Sequence, residues 1–165
     1  MKKLYLTTST ALFLLFYTTG IYAQNANAKL DQQKLMLQFV GSWQHTVSVD
    51  TTEVWDCQLY GKSYTNNVYL IAKGKKIPIR MESSTYIPEE GKFRSFQLYN
   101  DGGCLTWIGK FNSEKMLSTT FMQNFDQSTI MNKYELTFET PDNFTLTKFT
   151  KDGVKVRDYK YTKKK

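Results

Sequence analysis

Short clusters of turn-forming residues interrupt this chain every ~8 to 12 positions, and the stretches between them are rich in β-branched and aromatic side chains. The clusters are Asp50-Thr51-Thr52, Gly61-Lys62, Lys73-Gly74-Lys75, Pro88-Glu89-Glu90-Gly91, Asp101-Gly102, Asn112-Ser113-Glu114, residues 124–128, Pro141-Asp142-Asn143 and Asp152-Gly153. They delimit ten strand-like runs, beginning near Trp43, Thr52, Tyr64, Lys76, Lys92, Cys104, Met116, Ile130, Phe144 and Val154. Loops this short join antiparallel neighbours, whereas a parallel pair needs a crossover of about a dozen residues or more, for which there is no room. The expected fold is therefore all-β, an antiparallel up-and-down meander of about ten strands with a short N-terminal helix around residues 29–39. Ten strands suffice to close into a barrel, and closure removes the edges that invite aggregation. An open two-sheet sandwich is the alternative, because periodicity does not report closure.

The N-terminus reads as an address. Lys2 and Lys3, an apolar stretch over residues 11–17 and the small Ala23 after Ile21-Tyr22 form a secretory signal peptide over residues 1–23, cut before Gln24. Its strongly apolar part falls short of the ~20 residues that span a bilayer, so no stable membrane insertion is expected once it is removed. Residues 24–40 are an N-terminal segment carrying the short helix, residues 41–163 the barrel domain, and the product is exported, periplasmic or secreted. Loss of Lys2 and Lys3 lowers the formal charge from +7 to +5. Basicity that mild, spread along the chain, describes a solvated surface rather than a nucleic-acid groove.

Pairing registers are tested by asking which of them gathers apolar residues on one face. A two-residue turn at Asp101-Gly102 sets Leu98 opposite Leu105 and Phe96 opposite Trp107; the 88–91 loop then aligns Met81 with Leu98 and Ser83 with Phe96. Near the C-terminus, Pro141-Asp142-Asn143 aligns Phe138 with Leu146, and Tyr134 and Leu136 follow by alternation. The expected interior is Trp55, Leu59, Met81, Phe96, Leu98, Trp107, Tyr134 and Phe138, with Ser83, Thr85 and Arg94 as polar groups. Arg94 is then the candidate partner for an acidic head group, since a buried cation is costly unless paired.

Phe39-Val40-Gly41-Ser42-Trp43 resembles the Gly-x-Trp opening of lipocalin-like (calycin) barrels, and the two C-terminal hairpins, from Tyr134-Glu135-Leu136 to Tyr161-Thr162-Lys163, are similar to those of uncharacterised bacterial lipocalin-like proteins. The resemblance covers roughly residues 37–163. It implies a barrel with Gly41 and Trp43 as structural residues at its closed end, and ligand binding by analogy. The two-helix lid of fatty-acid-binding barrels is not found after the first strand.

Candidate chemistry is sparse. A three-residue loop at residues 50–52 sets Cys57 opposite His45, the single histidine, but no third group orients such a pair. One His and two distant Cys give no zinc-type spacing, and haem ligation by His45 has only analogy behind it. Glu89-Glu90, Asp101 and Asp152 are turn formers. Cys57 and Cys104 fall on opposite faces, which opposes a disulfide unless a bulge at Gly102-Gly103 flips Cys104. No catalytic, metal or cofactor site is expected. The sequence reads as an exported, non-enzymatic binding protein holding a small apolar or acidic amphiphilic molecule. The alternative is an envelope protein module with a filled barrel and an outer aromatic surface of Tyr60, Tyr64, Tyr86, Phe93 and Tyr99.

Overall fold

Each turn cluster reverses the chain. A computed structural model describes residues 30–165; the expected signal peptide and the start of the N-terminal segment lie outside the described residues. The helix α1 (Gln32–Met36) and a 3-10 turn at Leu37–Phe39 precede ten strands. These are β1 (Gly41–Ser48), β2 (Thr51–Tyr60), β3 (Ser63–Ala72), β4 (Lys75–Ile87), β5 (Lys92–Tyr99), β6 (Cys104–Ser113), β7 (Met116–Met122), β8 (Asn132–Thr140), β9 (Asn143–Thr150) and β10 (Lys155–Lys163). All pairs are antiparallel between chain neighbours, and β1 closes on β10 through Trp43↔Lys163 and Gln44↔Thr162. The fold is thus the closed meander and not the open sandwich; every strand starts within two residues of its expected position.

One end of the barrel is plugged. Asp31 caps α1, its carboxylate accepting from the Lys34 backbone N–H at 3.1 Å. Gln32 ties the helix to β6: its Nε2 donates to the Phe111 carbonyl at 3.0 Å, and its Oε1 accepts from the Phe111 N–H at 2.7 Å. Met36 and Phe39 are buried beneath it. Phe39 meets Phe138 with ring centroids 4.9 Å apart, Trp43 meets Phe144 at 4.8 Å, and Phe144 stacks on Tyr161 at 4.7 Å. Trp43 is 0% exposed, and its indole N–H donates to the Phe39 carbonyl at 2.8 Å. Gly41 has φ +126°, and a Cβ there would lie 2.8 Å from the Lys163 side chain, whose ammonium sits 5.1 Å from the Trp43 ring centroid. The glycine two residues before the tryptophan is needed for backbone shape and for room.

Three hairpins depart from the expected registers. The 101–102 turn contains one more residue: the Tyr99 N–H donates to the Gly103 carbonyl, and Gly102 takes φ +86°, the positive φ of a three-residue hairpin loop. Leu98 therefore faces Cys104, Phe96 faces Thr106, and Ser95 faces Trp107. A shift by one exchanges the two faces of a strand. The expected Met81–Leu98 and Ser83–Phe96 pairs do form, but on the outside: Met81 is 52%, Phe96 41% and Leu98 45% exposed. Ser83 and Thr85 are exposed with them. Tyr64 and Phe93, expected on the outer surface, are buried, and Tyr86 packs against Phe93 at 5.2 Å. The other two shifts preserve the faces. Cys57 pairs with Gly41 and His45 with Glu53, so the His45–Cys57 pair does not form. Phe138 pairs with Phe144 and Leu136 with Leu146. Cys57 is buried inside, Cys104 exposed outside, and both thiols are free.

Candidate functional site

Above the aromatic plug, toward the 49–50, 73–74, 100–103, 123–131 and 151–154 loops, the interior is not filled. A cavity of about 340 Å³ lies there, at the lower end of the ~300 to 1,000 Å³ of small-ligand sites. Its floor includes Met36 and Phe39 under α1, and its mouth includes His45, Val47, Arg157 and Tyr159. Trp107, Phe121 and Tyr134 form a continuous aromatic wall, with successive centroids 6.3 and 4.9 Å apart. Trp55 and Tyr161 face it from the other side, 4.5 Å apart.

Strands β3 to β5 supply the polar part, because the flipped faces turn their hydrophilic alternates inward. Arg80, Glu82 and Gln97 line the cavity beside Asn66, while Ser84 and Ser95 are buried next to them. Four side chains surround the buried Glu82 carboxylate within hydrogen-bond distance: Trp107 Nε1 at 2.8 Å, Gln97 Nε2 at 2.8 Å, Ser95 Oγ at 3.1 Å and Ser84 Oγ at 3.3 Å, the Ser84 hydroxyl sharing its one proton with Ser95 Oγ at 2.9 Å. Tyr99 donates to Gln97 Oε1 at 3.0 Å, extending the network toward the mouth. Glu53, opposite His45, accepts from the Trp55 indole and the Tyr161 hydroxyl, each at 2.6 Å. These donors occupy both oxygens of Glu82 and Oε1 of Glu53.

Arg80 is placed differently. Its guanidinium stands 5.5 Å from the Trp55 ring centroid, its Nε is buried without a hydrogen-bond partner, and it belongs to neither ion pair found among the described residues, Arg94–Glu90 and Lys155–Asp158. The surrounding hydroxyls stay protonated at neutral pH. Burial, aided by the charges of Tyr159 and Tyr99 and opposed by Arg80, pushes Tyr134 up to about 12. Burial and the neighbouring Glu53 raise Tyr161, and burial raises Tyr99. Burial likewise pushes the Cys57 thiol up to about 12, which keeps it protonated and a poor nucleophile. His45 Nδ1 lies 2.9 Å from the Lys160 carbonyl. Among the described residues, no group of three His, Cys, Asp or Glu side chains is placed to hold a metal ion.

Of the residues expected to line the interior, Trp55, Trp107 and Tyr134 line the cavity, and Phe138 is buried in the plug below it. Leu59 shares the face of Trp55 but lies near the plugged end of β2 and is 49% exposed. Met81, Phe96 and Leu98 are outside, as is Arg94, which pairs with Glu90 at 2.7 Å and stands 5.0 Å from the Phe125 ring centroid. The expectation that Arg94 points into the barrel is therefore corrected: it shares the displaced register of Phe96 and Leu98. The interior cation is Arg80. Its signal was the alternation Arg80-x-Glu82-x-Ser84 opposite Ser95-x-Gln97, a polar face that an apolar-inside rule assigns to solvent.

No protein-family model and no curated protein matches this sequence. Among solved structures, the chain is similar to a redesigned β-barrel, mFAP1, bound to DFHBI, at 15% identity over 82% of this chain and 100% of that one, with a TM-score of 0.32. With a likeness of that extent, the fold and the site stand on the registers and contacts of this chain.

Proposed function

We propose that this chain is an exported, non-enzymatic binding protein of the lipocalin-like kind that holds a small apolar or amphiphilic molecule inside its barrel. The cavity above the aromatic plug carries this reading: aromatic walls, a plugged floor and a few convergent polar groups are what a small-molecule site consists of. The chemistry of the lining supports binding rather than turnover. Glu53 and Glu82 are occupied by structural donors, and the Cys57 thiol is held protonated by burial, opposite Gly41 rather than His45. The Gly41-Ser42-Trp43 opening under α1 supports the family resemblance, and the leader-like residues 1–23 support export. Native mass spectrometry of the protein purified from its own host tests the proposal. A stoichiometric non-covalent adduct of a few hundred daltons is the expected result; a bare mass under the gentlest conditions, together with no binding of any apolar probe, would overturn it.

One observation favours a second role for the outer wall. Met81, Phe96 and Leu98 make an exposed apolar strip across β4 and β5, the kind of surface that marks protein contacts.

A further inference from the structure

Hydrogen-bonding capacity inside the cavity is unevenly met. Glu82 accepts from Trp107, Gln97 and Ser95, with Ser84 shared between it and Ser95, and Glu53 accepts from two donors. Arg80, two residues before Glu82 on the same inner face of β4, has a buried Nε with no partner, and no acid of the described residues pairs with it. Asn66 lies directly opposite Glu82 on β3, and so diagonally from Arg80, which pairs with Val68. It is only 2% exposed, lines the cavity, and its buried Oδ1 is unpartnered. Leaving such groups unmet is costly; an acceptor brought in by a ligand would satisfy Arg80 Nε, whereas Asn66 Oδ1, itself an acceptor, calls for a ligand donor. Flat apolar surface is at hand: the Trp55 ring stands beside Arg80, and Trp107, the first ring of the Trp107–Phe121–Tyr134 wall, bonds Glu82, the residue paired with Asn66.

We infer that the cavity takes a planar aromatic acid, its carboxylate gripped by the Arg80 guanidinium and its ring against the Trp107–Phe121–Tyr134 wall. This deepens the proposed function and rests on it. A guanidinium matches a carboxylate with two parallel donors; Arg80 offers this geometry inside the barrel, whereas the other lining guanidinium, Arg157, is exposed at the mouth over the Tyr159 ring. Both oxygens of Glu82, and Oε1 of Glu53, are turned to their own donors rather than to Arg80. A compact cavity walled by rings favours a flat bicyclic body over a long flexible chain, whose ordering costs more entropy.

Calorimetric titration of the purified protein near pH 7.5 with naphthalene-2-carboxylate, naphthalene-2-carboxamide and decanoate tests this. The acid is expected to bind ~10- to 100-fold more tightly than the amide, the scale of a charged hydrogen-bonded contact, and more tightly than decanoate. Arg80→Gln should abolish most of the acid's advantage, and Arg80→Lys should retain part of it. Equal affinity for acid and amide, or an Arg80→Gln protein that binds the acid undiminished, would overturn the head-group assignment while leaving the cavity a binding site. Tighter binding of decanoate would overturn the aromatic part. Failure of all three probes to bind would overturn the reading of the cavity itself. If Arg80→Gln does not fold, the acid–amide difference in the unmodified protein and the Arg80→Lys titration decide the matter.

Discussion

Trp43 shows how much one residue position holds. It is fully buried, bonds the carbonyl of Phe39 and carries the ring contacts on which the plug rests. Replacing it by Ala should cost about 3 to 5 kcal/mol in a denaturant melt, as truncation of a core aromatic does; a loss under ~1 kcal/mol would mean that the plug does not depend on it. Arg94 is the contrasting case. As an exposed partner of Glu90 it should change stability by less than about 1 kcal/mol when replaced by Ala, and ligand affinity not at all, both measurable on one variant. The sequence made Trp43, Trp55, Trp107 and Tyr134 legible because their strands have the expected inner face. Arg80 and Asn66 were not legible, because the rule that apolar residues face inward fails where the interior is a polar site.

At the scale of elements, every strand was readable from turn chemistry, and the errors lay in how many residues each turn consumes. Two shifts, between β1 and β2 and between β8 and β9, moved pairs by an even count and left the faces intact. A single extra residue at Gly102-Gly103 reversed β4 and β5 and removed Met81, Arg94, Phe96 and Leu98 from the interior. A positive-φ glycine followed by a second glycine admits both loop lengths, so local sequence does not choose between them. The helix is the other element with a measurable role. Gln32 satisfies both backbone groups of Phe111, so Gln32→Ala should lower stability by about 1 to 3 kcal/mol, as removal of partners from part-buried polar groups does. Hydrogen exchange should quicken first at the Phe111 amide; an unchanged rate there would contradict the strap.

For the whole molecule, the barrel combines an aromatic plug at one end with a partly polar, open chamber at the other. That division has a pH signature. Tyr134, Tyr161 and Tyr99 have folded-state pKa values raised by burial above their ordinary value of 10.0. Folding therefore favours the protonated phenols, so their contribution is complete below pH ~10 and is lost as pH rises from there toward and beyond the raised values. Thermal stability should fall steeply above pH ~10 from this cause, and ultraviolet titration should show some tyrosines ionising only as the fold is lost; full ionisation of a still-folded protein at pH ~10 would contradict their burial.

The central claim is that small molecules enter this chamber and nowhere else on the barrel. Its three tryptophans report on it directly, since Trp55 and Trp107 line the cavity whereas Trp43 is sealed in the plug. In a ¹⁵N-labelled sample titrated with naphthalene-2-carboxylate, the indole N–H signals of Trp55 and Trp107 should move saturably together while that of Trp43 stays nearly fixed. Unmoved Trp55 and Trp107 signals, with the shifts falling instead on the Met81, Phe96 and Leu98 amides of the outer wall, would contradict it.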